Sequence, residues 1–318
     1  MPDRVRDELL AIATKLFDEG KVDYFLGYKK GTVKFKTTPL IARSREDLPG
    51  LWVEDFFASN LSLYLKEIKS RVAILVKGCD SRSLISLLKE GQIRREDLYI
   101  VGLPCPGQID PGRVADAAGC EREELEEITR RDGEILVRVG SQEKTVPKNQ
   151  TFLDKCLDCQ HPQPLIFDYL LPGDYAAPVQ ELTRSKDELR QKQAPERWAF
   201  WAEQFQRCIR CYACRNVCPA CFCPRCIVEE NMPQWVSALP TAGDNFVFHL
   251  MRLMHVAGTC VSCGECERVC PMEIPLMKLQ DKMADDLREL FDFVAGVDLD
   301  KPLPFRTYRQ EDPNDFIK

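Results

Sequence analysis

Two cysteine runs constrain the C-terminal part of this chain more tightly than any other feature. Cys208, Cys211, Cys214 and Cys218 are spaced C-x2-C-x2-C-x3-C and followed by Pro219. Cys260, Cys263, Cys266 and Cys270 repeat that spacing and are closed by Pro271. The spacing predicts [4Fe–4S] clusters, three cysteines of a run taking one cube while the fourth reaches over to the other. The expected sets are Cys208, Cys211, Cys214 and Cys270 on one cube, and Cys260, Cys263, Cys266 and Cys218 on its neighbour. Three thiolates so close in sequence can wrap one face of a cube only if the backbone between them curls tightly. Such a curl turns N–H groups toward the sulfurs, and those hydrogen bonds offset cluster charge. A structural zinc ion takes two separated C-x2-C pairs rather than a triplet plus one.

Composition bears on where such a chain works. Sixteen cysteines among 318 residues, with no secretory signal after Met1-Pro2-Asp3-Arg4, point to metal rather than disulfides and to a cytoplasmic protein. The formal net charge of −6 gives nucleic-acid binding no electrostatic support. No transmembrane segment is expected, because no stretch approaches the roughly twenty apolar residues that span a bilayer. The most apolar candidate, Phe246 to Gly258, is interrupted by His249, Arg252 and His255, and reads as a buried helix entering the second cysteine run.

The chain divides into unlike halves. Val5, Leu9, Ile12, Leu16 and Phe17 recur at helical spacing. Val22 to Tyr28 and Thr32 to Lys36 read as two strands joined through Lys29-Lys30-Gly31, and Glu54 to Ile68 reads as helix. Val72 to Val76 is a short, fully apolar run, the pattern of a strand buried on both faces. An amphipathic helix through Leu84, Leu87 and Leu88 follows, and Leu98 to Val101 is a second such strand. This alternation predicts an α/β domain with a mainly parallel sheet over residues 1–180. A mostly helical domain carrying the two clusters is expected over 198–290, with a tail over 291–318.

Residues 219 to 259 separate the two runs, and their apolar side chains, Trp235, Leu239, Phe246, Phe248, Leu250 and Leu253 among them, suit helices packed around the clusters. After Pro271, Met277, Leu279, Met283 and Leu287 recur at helical spacing. The stretch Cys260-Val-Ser-Cys263-Gly264-Glu-Cys266-Glu-Arg-Val-Cys270-Pro271 with Ile274-Pro275 resembles the helical ferredoxin domains of heterodisulfide reductase C-type and fumarate reductase iron–sulfur subunits. A likeness to two-cluster bacterial ferredoxins lies in the spacing alone, since those fold as short strands.

Eight cysteines remain. Cys156-Leu-Asp-Cys159 and Cys223-Pro-Arg-Cys226 are two pairs that together suit a third [4Fe–4S] cluster or a tetrahedral zinc ion. Cys221, between the motifs, is an alternative to Cys223 in that set, and Cys120, in a Glu-rich stretch read as helical, reads as a packed or surface thiol. Cys79 and Cys105 each lie just past the end of a buried strand, where open α/β sheets place ligands. Around the first, Lys77, Gly78, Asp80, Ser81 and Arg82 form a candidate cofactor-binding turn. Gly78 permits close backbone approach, the helix start offers free N–H groups, and Lys77 and Arg82 offer charge. The alternative is a capped helix start, with Asp80 or Ser81 as the cap.

The order Leu51-Trp52-Val53, Asn60-Leu61, Lys77-Gly78-Cys79-Asp80-Ser81-Arg82 and Gly102-Leu103-Pro104-Cys105 resembles the beta-subunit family of deazaflavin-reducing hydrogenases and dehydrogenases, in particular its ferredoxin-fused relatives. That resemblance implies an iron–sulfur electron-transfer subunit of an anaerobic redox complex of heterodisulfide reductase, hydrogenase or formate dehydrogenase type, with other redox subunits as partners. It also admits FAD, and with it an alternative: an oxidoreductase subunit exchanging hydride with a deazaflavin or nicotinamide. The cysteine runs follow the α/β half here, whereas the family often has them before it, and no G-x-G-x-x-G fingerprint occurs. His161, His249 and His255 are scattered and read as packed residues, so no catalytic residue is assigned. Aromatics among acids and prolines from Phe291 through Phe305 to Tyr308 and Phe316 suit either a partner surface or packing on the chain itself.

Overall fold

The computed structural model describes residues 3–131, 134–175 and 188–305. The chain divides into two compact units, one of residues 1–81 with 93–190 and the other of residues 82–92 with 191–318. Segment 82–92, read in the sequence with the α/β half, therefore groups with the C-terminal unit.

Helix α1 (Asp3–Asp18) opens the N-terminal unit and buries Val5, Leu9, Ala13 and Leu16. Strands β1 (Tyr24–Lys30) and β2 (Thr37–Ala42) pair antiparallel. Strand β3 (Val72–Val76) is buried at every residue, as its apolar run required. Helix α2 (Gly78–Lys89) begins directly after it, and β4 (Leu98–Gly102) lies parallel to it in register from Val72↔Leu98 to Val76↔Gly102. Helix α3 (Pro111–Ala118) is capped by Asp110, whose carboxylate accepts from the Gly112 N–H. Strands β5 (Leu125–Arg131), β6 (Glu134–Val139) and β7 (Gln142–Val146) form an antiparallel sheet over a core of Leu125, Ile128, Ile135, Val137 and Val146. The single turns α4 (Lys148–Thr151) and α5 (Asp154–Leu157) lead to β8 (Tyr169–Leu170). The main sheet runs β2-β1-β3-β4-β8, parallel except for the β1–β2 pair. Its parallel order places the C-terminal ends of β3 and β4 side by side.

The single turn α6 (Glu188–Gln191) spans the division, and the C-terminal unit is helical: α7 (Ala194–Gln206), α8 (Ala213–Asn216), α9 (Ala242–Val256), α10 (Glu265–Arg268) and α11 (Leu276–Phe291). Thr241 caps α9 by accepting from the Asp244 N–H. No described helix is long and apolar enough to cross a membrane.

Three local expectations are corrected. Thr32–Lys36 is a turn and the second strand starts at Thr37, because Gly31 and Lys36 close the turn through an N–H to C=O bond. Most of Glu54–Ile68 is irregular, with a short 3-10 turn at Leu61–Lys66; Asn60 is extended there and its side chain accepts from both the N–H and hydroxyl of Ser62. The Glu-rich stretch after Cys120 makes only a short 3-10 turn at Arg122–Glu124 and then enters β5 rather than continuing as helix. Its glutamates face outward, where Glu127 pairs with Arg138 of β6 at 2.9 Å.

Candidate metal centres

The two cysteine runs of the C-terminal unit adopt the same backbone. In each, the second residue after the first cysteine is left-handed, Arg210 at φ 48° and Ser262 at φ 55°. The residue after the second cysteine is left-handed too, Tyr212 at φ 60° and Gly264 at φ 72°. A one-turn helix, α8 or α10, then carries the third cysteine. Left-handed backbone costs a non-glycine residue about 1–2 kcal/mol, so three such residues at matching positions mark an imposed shape. The curl has the expected consequence. Arg210 N–H points at Cys208 Sγ at 3.4 Å, and Ser262 N–H bonds the Cys260 sulfur in the same way.

The structure also crosses the fourth cysteines over. Cys270, from the second run, lies close enough to Cys208 and Cys214 to push their thiol pKa values up, behind the larger effect of burial. Cys218, from the first run, does the same to Cys260 and Cys266. Burial above all raises Cys214 and Cys260 to about 12 and Cys266 to about 11, with Cys266, Cys208 and then Cys270 adding to it at Cys214 and Cys218 adding to it at Cys260 and Cys266. Cys218 is instead lowered to about 5, chiefly by a hydrogen bond from Cys221. A cavity in this unit is lined by Cys218, Cys260 and Cys263 together with Thr259 and Val261. Three of the four sulfurs expected on the second cube thus border one space. Among the described residues, no three Cys, His, Asp or Glu side chains converge as they would on a single metal ion. A cube, by contrast, holds its thiolates on four separate irons. The donor set and the curl fit [4Fe–4S] clusters.

Sequence reasoning missed the inward face of α9. Asn245, His249 and Arg252 lie at positions where a packed helix normally carries apolar residues, yet all three are buried. Asn245 Nδ2 donates to the carbonyls of Phe205 and Cys208, while its Oδ1 accepts from Arg210 Nε. His249 stacks on Phe205 and places Nε2 at 3.4 Å from Cys208 Sγ. Burial, then the nearby Arg252 and Arg210, lower its pKa to about 3, so the imidazole is neutral. The signal available in the sequence was the 245, 249, 252 spacing of polar residues on an otherwise apolar helix.

In the N-terminal unit, four cysteines from three loops share one edge of the sheet. Cys79 follows β3, Cys105 follows β4, and Cys156 and Cys159 lie on and after α5. Gln108 ties two of them together: its N–H donates to Cys156 Sγ at 3.3 Å and its Nε2 to Cys105 Sγ at 3.4 Å. Cys105 and Cys159 both help to raise Cys156, whose pKa burial has already pushed to about 12. Burial and then Asp80 raise Cys79 further still, with Cys105 adding to the effect. The loop after Cys159 is laid across the strand ends. Cys105 N–H donates to the Pro162 carbonyl at 3.1 Å, and a Cβ on Gly78 would stand 1.8 Å from the His161 carbonyl oxygen. Only glycine fits there. Cys223 and Cys226 belong to the other unit, where Cys223 is exposed and Cys226 bonds the Arg215 guanidinium.

The turn after β3 makes internal use of its polar groups. Lys77 is 1 % exposed and Asp80 and Ser81 are fully buried. Lys77 Nζ lies 2.8 Å from Asp80 Oδ2 and also donates to Tyr28 Oη and the Ser59 carbonyl. Asp80 accepts from the Lys77 N–H, and Ser81 Oγ bonds the Gly78 carbonyl and the Leu165 N–H. Burial opposes the charge of Lys77, but Asp80 and then Cys79 outweigh it and raise its pKa. Arg82 turns within the C-terminal unit to the carbonyls of Ala295 and Val261, and so props the second cysteine run.

No family model matches the chain. The F420-dependent formate dehydrogenase subunit beta of Methanocaldococcus jannaschii is 26% identical over 361 aligned positions, covering 94% of this chain and 94% of its own length. The F420-dependent formate dehydrogenase 1 subunit beta of Methanococcus maripaludis is 27% identical over 363, covering 92% and 91%. The chain is a homologue of these beta subunits. The alignments run through both units, so the relationship is not confined to the cysteine runs. Among solved structures, the F420-reducing [NiFe] hydrogenase complex from Methanosarcina barkeri matches at 19% identity and TM-score 0.40, over 48% of this chain and 58% of that one.

Proposed function

We propose that the chain is an iron–sulfur electron-transfer subunit of a multi-subunit redox complex of formate dehydrogenase or hydrogenase type. The observation that carries this reading is the repeated backbone curl, with matching left-handed residues and a fourth cysteine crossing between the runs. When bound, the [4Fe–4S] clusters supply one-electron transfer between neighbouring sites. The chain holds the first cluster with Cys208, Cys211, Cys214 and Cys270, and the second with Cys260, Cys263, Cys266 and Cys218. Cys211 and its neighbour Ile209 are exposed, which presents the first set to a partner subunit.

A third four-iron site belongs to the N-terminal unit. Its ligands are Cys79, Cys105, Cys156 and Cys159; the set of Cys156, Cys159, Cys223 and Cys226 that pairing by sequence suggests is the alternative. The buried ammonium of Lys77 offsets the negative charge such a site gathers.

A second reading, an FAD-bearing subunit that exchanges hydride with a deazaflavin, draws on the F420 dependence in the names of the two relatives. The internal partners of Lys77, Asp80 and Ser81 weigh against placing the flavin phosphates at that turn. Dithionite titration of the anaerobically purified chain separates the two. Broad visible absorbance that bleaches one electron at a time, with no FAD released on denaturation, supports the electron-transfer reading. Stoichiometric FAD with two-electron reduction of a deazaflavin would replace it.

A further inference from the structure

Arg252 is a buried charged side chain at the centre of the cysteine runs. It projects from the inward face of α9, is 7 % exposed, and its Nε has no hydrogen-bond partner. Burying a guanidinium is costly unless negative charge surrounds it. The groups that hold its charge are sulfurs. Cys266, Cys218, Cys214 and Cys221 are the acidic groups near enough to act on the guanidinium. It also hydrogen-bonds the Cys266 sulfur. These neighbours come from both ligand sets: Cys214 from the first, Cys218 and Cys266 from the second. His249, on the same helix face, reaches Cys208 of the first set and carries no charge.

We propose that Arg252 is a positioning residue shared by the two clusters, a fixed positive charge at their junction that raises the reduction potential of both. The inference rests on the assignment of [4Fe–4S] clusters to the two cysteine runs. Reduction adds one negative charge to a cube, and a nearby buried cation favours the reduced form. Because the guanidinium adjoins ligands of both cubes, it draws the two potentials upward together and limits the step between them. A neutral side chain of similar volume at this position removes that effect while still filling the space. Arginine suits the role because it stays protonated in a dry site, where a lysine loses its proton more readily.

The test is a reductive EPR titration of the full-length chain, wild type against Arg252→Met, Arg252→Gln and Arg252→Lys, with iron counted on each sample. In Arg252→Met and Arg252→Gln both midpoints are expected to fall, so that the reduced-to-oxidised ratio at fixed potential drops at least tenfold, about 59 mV for a one-electron couple. Arg252→Lys is expected to recover most of the shift. Unchanged potentials in neutral variants with full iron would overturn the proposal, as would a shift confined to one cluster. If both neutral variants lose iron while Arg252→Lys keeps it, the requirement for a buried charge is supported; loss in all three means a structural role only and overturns it. A wild-type chain without clusters would instead sink the underlying assignment, so the two failures are told apart.

Discussion

Replacing Lys77 with methionine strips a buried carboxylate of its partner, and the structure sets the size of the effect. The ammonium lies 2.8 Å from Asp80 Oδ2 with both side chains out of solvent. At an effective dielectric near 20, two unit charges at that distance attract by about 6 kcal/mol. Desolvation cancels part of this in the intact pair, but deleting one partner leaves the other charge uncompensated, which costs about 3–5 kcal/mol. Tyr28 Oη keeps its bond to the Ser59 carbonyl, so no second orphan is created. Lys77→Met is therefore expected to destabilise the N-terminal unit by about 3–5 kcal/mol. In Lys77→Met with Asp80→Leu the charge penalty disappears, and the loss falls to about 1–2 kcal/mol for the unmet Lys77 N–H and altered packing. Hydrogen exchange read by mass spectrometry on peptides spanning β3 and β4 gives the opening free energy locally. A single variant within 1 kcal/mol of wild type, or a double variant worse than the single, would refute the reasoning.

Other substitutions probe the remaining links. Cys105→Ser with Cys156→Ser is expected to remove about four irons and leave about eight, by the cubane count; Cys223→Ser with Cys226→Ser should leave the total unchanged, and the reverse pattern would restore the ligand pairing read from sequence. Gly78→Ala forces the loop at His161 off the strand ends, so it should cost the same four irons with the C-terminal signals intact, as iron analysis with EPR would show. Asn245→Leu orphans Arg210 Nε and the Cys208 carbonyl, while the Phe205 carbonyl keeps the Cys208 N–H, and should destabilise the C-terminal unit by about 2–3 kcal/mol, measured by urea unfolding. Iron reconstitution of the apo chain at neutral pH should release protons, since burial holds Cys214, Cys260 and Cys266 protonated with pKa values of about 11 to 12. Cys218, at about 5, is already a thiolate and contributes none; a pH-stat reads the difference.

The elements legible in the sequence were those whose pattern has one physical solution. Val72–Val76 is apolar at every position, and only a strand covered on both faces buries it. The apolar periodicities of α1 and α11 likewise left one face to bury. The Glu126-Glu127 pair misled because glutamate favours helix in isolation, whereas here the glutamates occupy the outer face of β5 and the cross-strand Arg138 rewards them. The start of β2 was set by a Gly31–Lys36 turn bond, which no periodicity announces. At the sites, spacing within a run proposes the eight cysteines, and the structure sets Cys270 beside Cys208 and Cys214, and Cys218 beside Cys260 and Cys266. Spacing could not join Cys79 and Cys105 to Cys156 and Cys159, because that meeting depends on the parallel order of β3 and β4 and on a loop crossing Gly78. Arg252 looked like an interruption of an apolar helix; its meaning depends on two loops that arrive from either side in sequence. Tyr308 and Phe316, in the tail read as either a partner surface or packing on the chain itself, lie outside the described residues.

The central claim is that the two runs hold a pair of [4Fe–4S] clusters with crossed fourth ligands. EPR of the dithionite-reduced chain, purified anaerobically, tests it most directly when compared with Cys270→Ala. The account predicts spin-coupled signals from two neighbouring reduced clusters in the wild type, and in the variant a change in the cluster of the first run with the second still reducible. Uncoupled signals, or a Cys270→Ala variant that alters the second run's cluster instead, would contradict it.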